Sequence, residues 1–315
     1  MKRALICGIT GQDGVYLAKL LLEKGYEVFG TSRDAENASF SNLRKMNILN
    51  NIKVHSASLN DFRSIIQVLK MTKPDEIYNL SGQSSVGLSF QQPVETFNSI
   101  TIGTINILEA VRLLNPAIKI YNASTCECFG DTKGLPADEN TPFAPRSPYA
   151  VAKAAAFWYV SNYRESYNIF ACSGILFNHE SKFRSDRFVT KKIINAARNI
   201  AKGLENKIEL GNINIQRDWG WAPEYVEAMY LMLQNEKPAD YVIATGVKHY
   251  LEDFLDIAFS YYNLNYKEYL KINNDFLRPT DIEISVGNPT KAKLELGWSA
   301  QTNIEKIIYN IINEI

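Results

Sequence analysis

Two side chains that can act together on an alcohol stand four residues apart in the segment SPYAVAK. They are Tyr149 and Lys153, and on a helix this spacing puts both on one face. A lysine ammonium near a phenol lowers the pKa of the phenol, which can then remove a proton from an alcohol while hydride leaves its carbon. The pair therefore predicts oxidation and reduction at a carbon that carries a hydroxyl group.

The segment STCECFG, residues 124–130, follows a predicted strand and ends just before that helix. Ser124 or Thr125 can hydrogen-bond a reacting oxygen. Glu127 adds a second acid/base group, which simple alcohol oxidation does not need. Cys126 and Cys128 are unlike a metal-binding pair, because no second Cys or His pair lies nearby in the sequence. We therefore predict no metal site and interpret both thiols as structural.

A glycine-rich loop, GITGQDG, lies between the first predicted strand and the first predicted helix. Glycines here permit a tight turn and a close approach of the backbone, and the helix N-terminus offers N–H groups to a pyrophosphate. The loop therefore predicts dinucleotide binding. Its predicted cofactor-binding residues are Gly8, Thr10, Gly11, Gln12, Asp13 and Gly14.

The end of the second predicted strand bears on the choice of dinucleotide. Arg33 favours the 2′-phosphate of NADP, whereas an acidic residue such as the adjacent Asp34 favours NAD. The two adjacent residues therefore favour different dinucleotides. We predict NADP as the cofactor, with NAD as the alternative.

Strand and helix patterns alternate along the first 180 residues. Short apolar runs such as RALICGI suit strands buried on both faces, and segments such as VYLAKLLLEKG have helical periodicity. This alternation predicts an α/β fold with a doubly wound parallel sheet of the Rossmann type. After about residue 180 the alternation of strand and helix patterns becomes less regular. We therefore predict a dinucleotide-binding domain over 1–180, to which some later segments return, and a smaller C-terminal cap over 181–315.

The composition restricts the classes of partner. The 315 residues contain 34 Lys+Arg and 34 Asp+Glu, a formal net charge of zero, which gives no reason to expect nucleic acid or membrane surfaces as partners. No apolar run approaches the length that spans a membrane. The four cysteines form no disulfide framework. A cytoplasmic protein is the simplest interpretation.

Several segments together resemble the extended short-chain dehydrogenase/reductase family and, within it, the GDP-mannose 4,6-dehydratases. They are GITGQDG, KPDEIYNLSGQSSVGLSFQQP, ENTPFAPRSPYAVAKAAAFWYVSNYRESYN, FACSGILFNHES, QRDWGWAPEYVEAMYLMLQ and RPTDIEISVGNPTKAKLELGW, and the resemblance spans nearly the whole chain. The Ser/Thr-x-Glu element of that family matches Thr125 and Glu127, and its Tyr and Lys match Tyr149 and Lys153. These four are the catalytic residues that the resemblance implies.

The resemblance implies a GDP-sugar 4,6-dehydratase. Such an enzyme converts a GDP-hexose to its 4-keto-6-deoxy derivative by internal hydride transfer from C4 to C6 through bound NADP. Tyr149 would take the proton of the C4 hydroxyl, Thr125 would hold O4, and Glu127 would remove the C5 proton and assist the loss of the C6 hydroxyl as water. The sequence leaves two substrates open, GDP-mannose and GDP-N-acetylglucosamine.

The resemblance also implies binding residues and an assembly. The cap is expected to bind the nucleotide-sugar, and the protein to form a homo-oligomer, a dimer or tetramer. Residues expected at the cofactor, besides the loop, Arg33, Tyr149 and Lys153, are Leu59, Leu80, Gly82, Gln83, His179 and Arg184. Residues expected at the nucleotide-sugar are Ser84, Asn178, Lys192, Arg217, Arg278 and Glu283.

Two other functions fit parts of the pattern. A GDP-4-keto-6-deoxymannose reductase shares the scaffold but needs no base at C5, so Glu127 argues against it. A catalytically silent nucleotide-sugar-binding protein would not need the full set of Thr125, Glu127, Tyr149 and Lys153.

Overall fold

The strands position the predicted site residues at their carboxyl ends. The structure, a computed structural model, describes residues 1–314. In chain order its strands are β1 (Arg3–Cys7), β2 (Glu27–Ser32), β3 (Ile52–Ser56), β4 (Glu76–Asn79), β5 (Lys119–Thr125), β6 (Ala171–Leu176), β7 (Asn178–Glu180), β8 (Ile208–Leu210), β9 (Gln216–Arg217), β10 (Trp219–Trp221), β11 (Tyr241–Ile243), β12 (His249–Tyr250), β13 (Leu270–Ile272) and β14 (Ile284–Ser285).

Helices fill most of the connections between these strands. They are α1 (Gln12–Glu23), α2 (Ser41–Lys45), α3 (Phe62–Thr72), α4 (Val86–Gln91), α5 (Pro93–Phe97), α6 (Gly103–Leu114), α7 (Pro148–Tyr167), α8 (Val189–Ala201), α9 (Ala222–Gln234), α10 (Leu251–Ser260) and α11 (Ile304–Glu314). A π-helical turn, Asn98–Ile102, leads into α6, and a 3₁₀ turn, Cys126–Phe129, follows β5.

The central sheet has seven parallel strands in the order β11-β6-β5-β4-β1-β2-β3. Both faces are covered, so the strands read as apolar runs: all six residues of β6 are buried. The strand order reverses between β1 and β4, which leaves a crevice at their carboxyl ends, where ligands bind in such sheets. This confirms the predicted doubly wound α/β fold.

Alternate residues of β1 supply two separate cores, because neighbouring side chains on a strand point to opposite faces. Ala4 and Ile6 pack with α1 and α9 on one face. Leu5 and Cys7 pack with α3, α6 and α7 on the other. The sheet therefore holds α1 and α7, which carry the glycine loop and the Tyr149–Lys153 pair, on opposite faces.

Local capping fixes the start of α7. The Ser147 hydroxyl accepts a hydrogen bond from the N–H of Ala150 over 3.1 Å, and Pro148 occupies the first turn. Asn168, with φ 53°, ends the helix. The helix thus begins one residue before Tyr149, which places that side chain at the edge of the sheet where β5 ends.

The cap has its own hydrophobic core, built from α8, α10 and α11 with short strands. Its strands form one three-stranded group, β12-β9-β14, and one pair, β13-β8. Not all of the later chain lies in the cap, since α9 packs on α1 and β11 joins the edge of the central sheet. Within residues 1–314, no helix is both long and apolar enough to cross a membrane.

Candidate active site

A cavity of about 700 Å³ lies between the carboxyl edge of the sheet and the cap. It brings together most of the predicted residues: Asp13, Leu80, Ser84, Thr125, Glu127, Tyr149, Lys153, Asn178, His179, Arg184, Lys192, Arg217 and Arg278. The remaining predicted residues lie outside its lining: Gly8, Thr10, Gly11, Gln12, Gly14, Arg33, Leu59, Gly82, Gln83 and Glu283. One cavity therefore holds the predicted catalytic residues together with binding residues from both parts of the chain.

Tyr149 and Lys153 face the cavity from α7, and both are buried. The Lys153 Nζ donates a hydrogen bond to the Ala123 carbonyl over 2.6 Å, and burial lowers the pKa of this lysine to about 8. Burial also raises the pKa of the Tyr149 phenol, while the Thr125 hydroxyl acts to lower it. The net shift of the phenol pKa is upward, because burial outweighs the interaction with the Thr125 hydroxyl. The lowering by the Lys153 charge that the sequence predicts is not found.

Thr125 and Glu127 are placed by the end of β5. The Thr125 hydroxyl accepts a hydrogen bond from the Glu127 main-chain N–H over 3.3 Å, which starts the 3₁₀ turn. Burial raises the pKa of the Glu127 carboxyl, opposed by the positive charges of Arg217 and Arg278. A carboxyl group whose pKa is moved toward neutrality is suited to taking and giving protons.

The two cysteines beside Glu127 are buried rather than reactive. Burial raises the thiol pKa of both Cys126 and Cys128 to about 12, so neither is a thiolate at neutral pH. Cys128 Sγ lies 3.8 Å from the Ala150 carbonyl, and Cys126 Sγ lies 3.9 Å from Asn178 Oδ1. In the described chain, 1–314, no cluster of three or more His, Cys, Asp or Glu residues could hold a metal ion.

The glycine loop has the geometry of a diphosphate cradle. Gly8 adopts φ +87°, and a Cβ there would lie 3.0 Å from the main chain of Leu80. A Cβ at Gly14 would collide with the Gly8 carbonyl oxygen. Gly11, the N-cap of α1, offers no side-chain cap to the first N–H groups of the helix. These features fit an anionic diphosphate at the start of α1.

Asp13 and His179 connect this loop to β7. His179 Nε2 lies 3.0 Å from both carboxylate oxygens of Asp13, and its Nδ1 lies 2.7 Å from the Phe177 carbonyl oxygen. The Gln12 side chain donates to the His179 carbonyl over 3.0 Å and accepts from the Ser181 hydroxyl over 2.8 Å. These hydrogen bonds connect the glycine loop to β7, the strand on which Asn178 lines the cavity.

Arg33 and Asp34, which follow β2, are the residues that bear on the choice between NADP and NAD. The Asp34 carboxylate accepts hydrogen bonds from the main-chain N–H groups of Glu36 and Asn37 and from the Asn37 side chain, at 2.9–3.0 Å. These bonds lower its pKa. Arg33 is exposed. Asp34 is exposed as well, but its carboxylate is already hydrogen-bonded within its own turn.

The loop after β4 contains three of the predicted cofactor residues. Gly82 adopts φ +114°, a conformation that favours glycine. The Gln83 side chain donates to the Ser85 carbonyl over 2.8 Å and to the Thr96 hydroxyl over 3.2 Å, so it orders the loop. Leu80 lines the cavity directly.

Cationic side chains line the cap side of the cavity. Arg217, which is 5 % exposed, donates to the carbonyls of Gln216 and Glu283 and to the Asp281 carboxylate, at 2.9–3.2 Å. Arg278 lies 3.6 Å from the same carboxylate. Both can form paired hydrogen bonds to a diphosphate. Glu283 reaches this site only through its main-chain carbonyl, and its predicted binding role stays a prediction.

Several residues that line the cavity were not predicted from the sequence, and three of them contact polar groups there. Asp281, which pairs with both arginines, stands three residues after Arg278 in the motif RPTD, and that spacing could have revealed it. Phe276 lies 4.2 Å from the Lys192 Nζ, measured to the ring centroid. Glu180 is buried and accepts from the Thr190 hydroxyl over 2.8 Å. No local pattern distinguished Phe276 or Glu180.

Known proteins match the chain over nearly its full length. A family model described as GDP-mannose 4,6 dehydratase matches residues 5–311. The chain is 47 % identical to GDP-mannose 4,6 dehydratase 1 of Arabidopsis thaliana, covering 99 % of this chain and 89 % of the relative. It is 41 % identical to GDP-mannose 4,6-dehydratase of Vibrio cholerae, covering 99 % and 92 %.

Solved structures share the fold at lower identity. A dTDP-glucose 4,6-dehydratase from Bacillus anthracis, in complex with NAD, superposes with a TM-score of 0.87 at 19 % identity, covering 100 % of this chain and 96 % of that one. A UDP-glucose 4-epimerase from Thermus thermophilus, also with NAD, has a TM-score of 0.84 at 24 % identity and covers 98 % of each chain. From the matches in sequence, the chain belongs to the GDP-mannose 4,6-dehydratase family.

Proposed function

We propose that this protein is a GDP-hexose 4,6-dehydratase that acts with bound NADP. The observation that carries the proposal is the position of Glu127, a half-buried carboxyl group in the same cavity as Tyr149, Lys153 and Thr125. A dehydrogenase or reductase needs the tyrosine and lysine but no second acid/base group. Removal of water across C5 and C6 of a sugar does need one.

The four side chains divide the proton transfers between them. Tyr149 removes the proton of the C4 hydroxyl, and Thr125 donates a hydrogen bond to O4. The resulting C4 ketone makes the C5 hydrogen acidic, and Glu127 removes it as a proton. Glu127 then delivers a proton to the departing C6 hydroxyl, which leaves as water. After hydride has returned to C6, C5 takes up one proton, which balances the proton that Tyr149 removed from the C4 hydroxyl. The net change in the sugar is therefore the loss of one water molecule.

The dinucleotide would be held by the glycine loop, by Lys153 and by the segment around His179. When bound, it supplies the acceptor for the C4 hydride and the donor of hydride to C6. The Lys153 ammonium can donate a hydrogen bond to the dinucleotide at this end of the cavity, because its hydrogen bond to the Ala123 carbonyl holds the Nζ in place. Gly8 and Gly14 support this assignment, because a Cβ at either position would press against main-chain atoms and distort the turn.

NADP is favoured over NAD by the residues after β2. Arg33 is exposed and can pair with a 2′-phosphate, whereas the Asp34 carboxylate already accepts three hydrogen bonds from its own turn. Asp34 is therefore a poor receptor for the free hydroxyls of an NAD ribose.

The exposed faces of α6 and α7 support a homo-oligomer, a dimer or a tetramer. They carry Leu113 (54 % exposed), Trp158 (59 %) and Tyr167 (47 %), and exposed large apolar side chains in one region mark interaction surfaces. Light scattering coupled to gel filtration would measure the assembly, and Trp158→Glu should shift it toward the monomer. The cysteines are free, which suits the cytoplasm, where thiols stay reduced.

The function is tested by incubating the purified protein with GDP-mannose and, separately, with GDP-N-acetylglucosamine, without added cofactor. We expect one of them to yield a 4-keto product that has lost one water. The sugar that reacts identifies the C2 substituent that the cavity accepts. If neither sugar loses water but a GDP-4-keto-6-deoxy sugar consumes NADPH, the protein is a reductase and the proposal is wrong.

A further inference from the structure

Both ring nitrogens of His179 face groups that can only accept a hydrogen bond. Nδ1 lies 2.7 Å from the Phe177 carbonyl oxygen, and Nε2 lies 3.0 Å from each carboxylate oxygen of Asp13. A neutral imidazole has one N–H and would leave one of these contacts without a proton. The geometry therefore requires a proton on each nitrogen, which makes His179 an imidazolium paired with the Asp13 carboxylate.

The surroundings of His179 mostly favour its charge. Burial disfavours a cation, and Arg184 repels it, but the charge and hydrogen bond of Asp13 raise the pKa of the imidazole above its ordinary value. Glu180, the next residue, is buried and interacts electrostatically with it. The ring of Tyr225, from α9, stacks on the imidazole at 4.5 Å between centroids, a further contact that suits a cation.

Two more titratable groups face the same pair from other elements. Lys153 on α7 interacts electrostatically with Asp13, and so does Tyr121 on β5, whose burial keeps its phenol neutral. Asp13 is a carboxylate, since, despite its burial, the charge and hydrogen bond of His179 lower its pKa. Arg184 and Lys153 are the cations next to this pair, and the His179 proton adds to their positive charge.

This charge lies where a diphosphate would bind. Asp13 is in the first turn of α1, and its carboxylate alone would repel an anion that approaches the helix N-terminus. We propose that His179 is a positioning residue that, as an imidazolium, neutralises Asp13 and clamps the start of α1 to β7, so that loss of its proton weakens dinucleotide binding. The inference rests on the proposed dinucleotide site.

The charge state is tested first on the protein free of cofactor. The chain has three histidines, so ¹⁵N-labelled histidine gives three ring systems, and the set missing from His179→Gln is that of His179. We expect both His179 nitrogens to carry protons at pH 7, and Asp13→Asn to lower the pH at which they titrate. A neutral His179 tautomer at pH 7, or a titration unmoved by Asp13→Asn, would overturn the proposal.

The consequence for binding is tested by calorimetric titration of NADP against the cofactor-free protein from pH 6 to pH 10. We expect Kd to rise on the order of tenfold as His179 loses its proton. Lys153 also titrates in this range, so the comparison is with His179→Gln, which retains Lys153 but should lack the histidine step. If the variant does not fold, Asp13→Asn replaces it, and the step should move to lower pH with the histidine resonance.

Equal pH dependence of Kd in the wild type and His179→Gln, or a step that stays in place in Asp13→Asn, would contradict the proposed role. Neither readout uses a GDP-sugar. A protein that binds NADP as described but fails to dehydrate a GDP-hexose would therefore refute the proposed function alone.

Discussion

The main-chain N–H of Glu127 donates to the hydroxyl oxygen of Thr125 over 3.3 Å. This bond turns the chain at the point where β5 ends, so that two residues separated by one position both line the same cavity. Thr125 also lies against the Tyr149 phenol. One turn of 3₁₀ helix therefore brings the carboxyl group that we propose as the second acid/base group into the cavity of Tyr149 and Lys153. A dehydratase needs such a group, whereas a dehydrogenase does not.

Glu127→Gln should abolish exchange of the C5 hydrogen with solvent while NADP binding stays intact, because the amide keeps the shape of the side chain but cannot act as a base. Turnover should fall by roughly 10²–10⁴-fold. The measurement is deuterium incorporation at C5 in heavy water, followed by mass spectrometry. Normal incorporation in the variant would remove Glu127 from the role of base.

Tyr149→Phe should lower kcat by a similar factor, about 10²–10⁴-fold, because the C4 hydroxyl loses its proton acceptor. The fold should be retained, since the ring still fills its buried position. Tyr309→Phe, an exposed tyrosine on α11, is the matched control and should keep full activity. If Tyr149→Phe retained wild-type kcat, another group would have to serve as the base.

Stability should depend on pH through Lys153. Its pKa is lowered by burial to about 8 from an ordinary value of 10.5. Between these two values the unfolded chain binds a proton that the folded chain has released, so the free energy of unfolding contributed by this residue rises with pH. Urea denaturation at pH 8 and pH 10 measures that rise.

Lys153→Met should remove this contribution, whereas Lys237→Met, at an exposed position, should leave it. A wild-type pH dependence in Lys153→Met would show that the lysine is not the group responsible.

Arg33→Ser should weaken NADP binding by about tenfold and leave NAD binding unchanged, because only NADP carries the phosphate that the guanidinium can pair with. Calorimetric titration of both dinucleotides against the same protein provides the control. Equal losses for NADP and NAD would indicate that Arg33 supports the loop rather than reading the phosphate.

The sequence predicted the elements whose signals are local. The Ser147 cap, the Pro148 first turn and the apolar spacing identified α7, and the apolar runs identified the sheet strands. Strands of two or three residues, such as β9 and β14, are too short to show periodicity. The 3₁₀ turn after Thr125 was also invisible, because its stability comes from one hydrogen bond and from burial among groups distant in sequence.

For the candidate site, too, the sequence predicted residues with a local or family signal but not the contacts between distant residues. Residue types and spacing predicted Tyr149 and Lys153, and the resemblance to a family predicted Arg217 and Arg278; all four line the cavity. The pairing of His179 with Asp13 joins residues 166 positions apart, and no local pattern encodes such a contact.

We expect the hydrogen on C4 of the hexose to end on C6 of the same sugar while water is lost. This transfer is tested most directly with a GDP-hexose deuterated at C4, incubated with the purified protein, and with mass spectrometry and NMR of the product. We predict a 4-keto product whose C6 methyl group carries the deuterium. Deuterium that remains at C4, or that appears in released NADPH without a deoxygenated product, would contradict it.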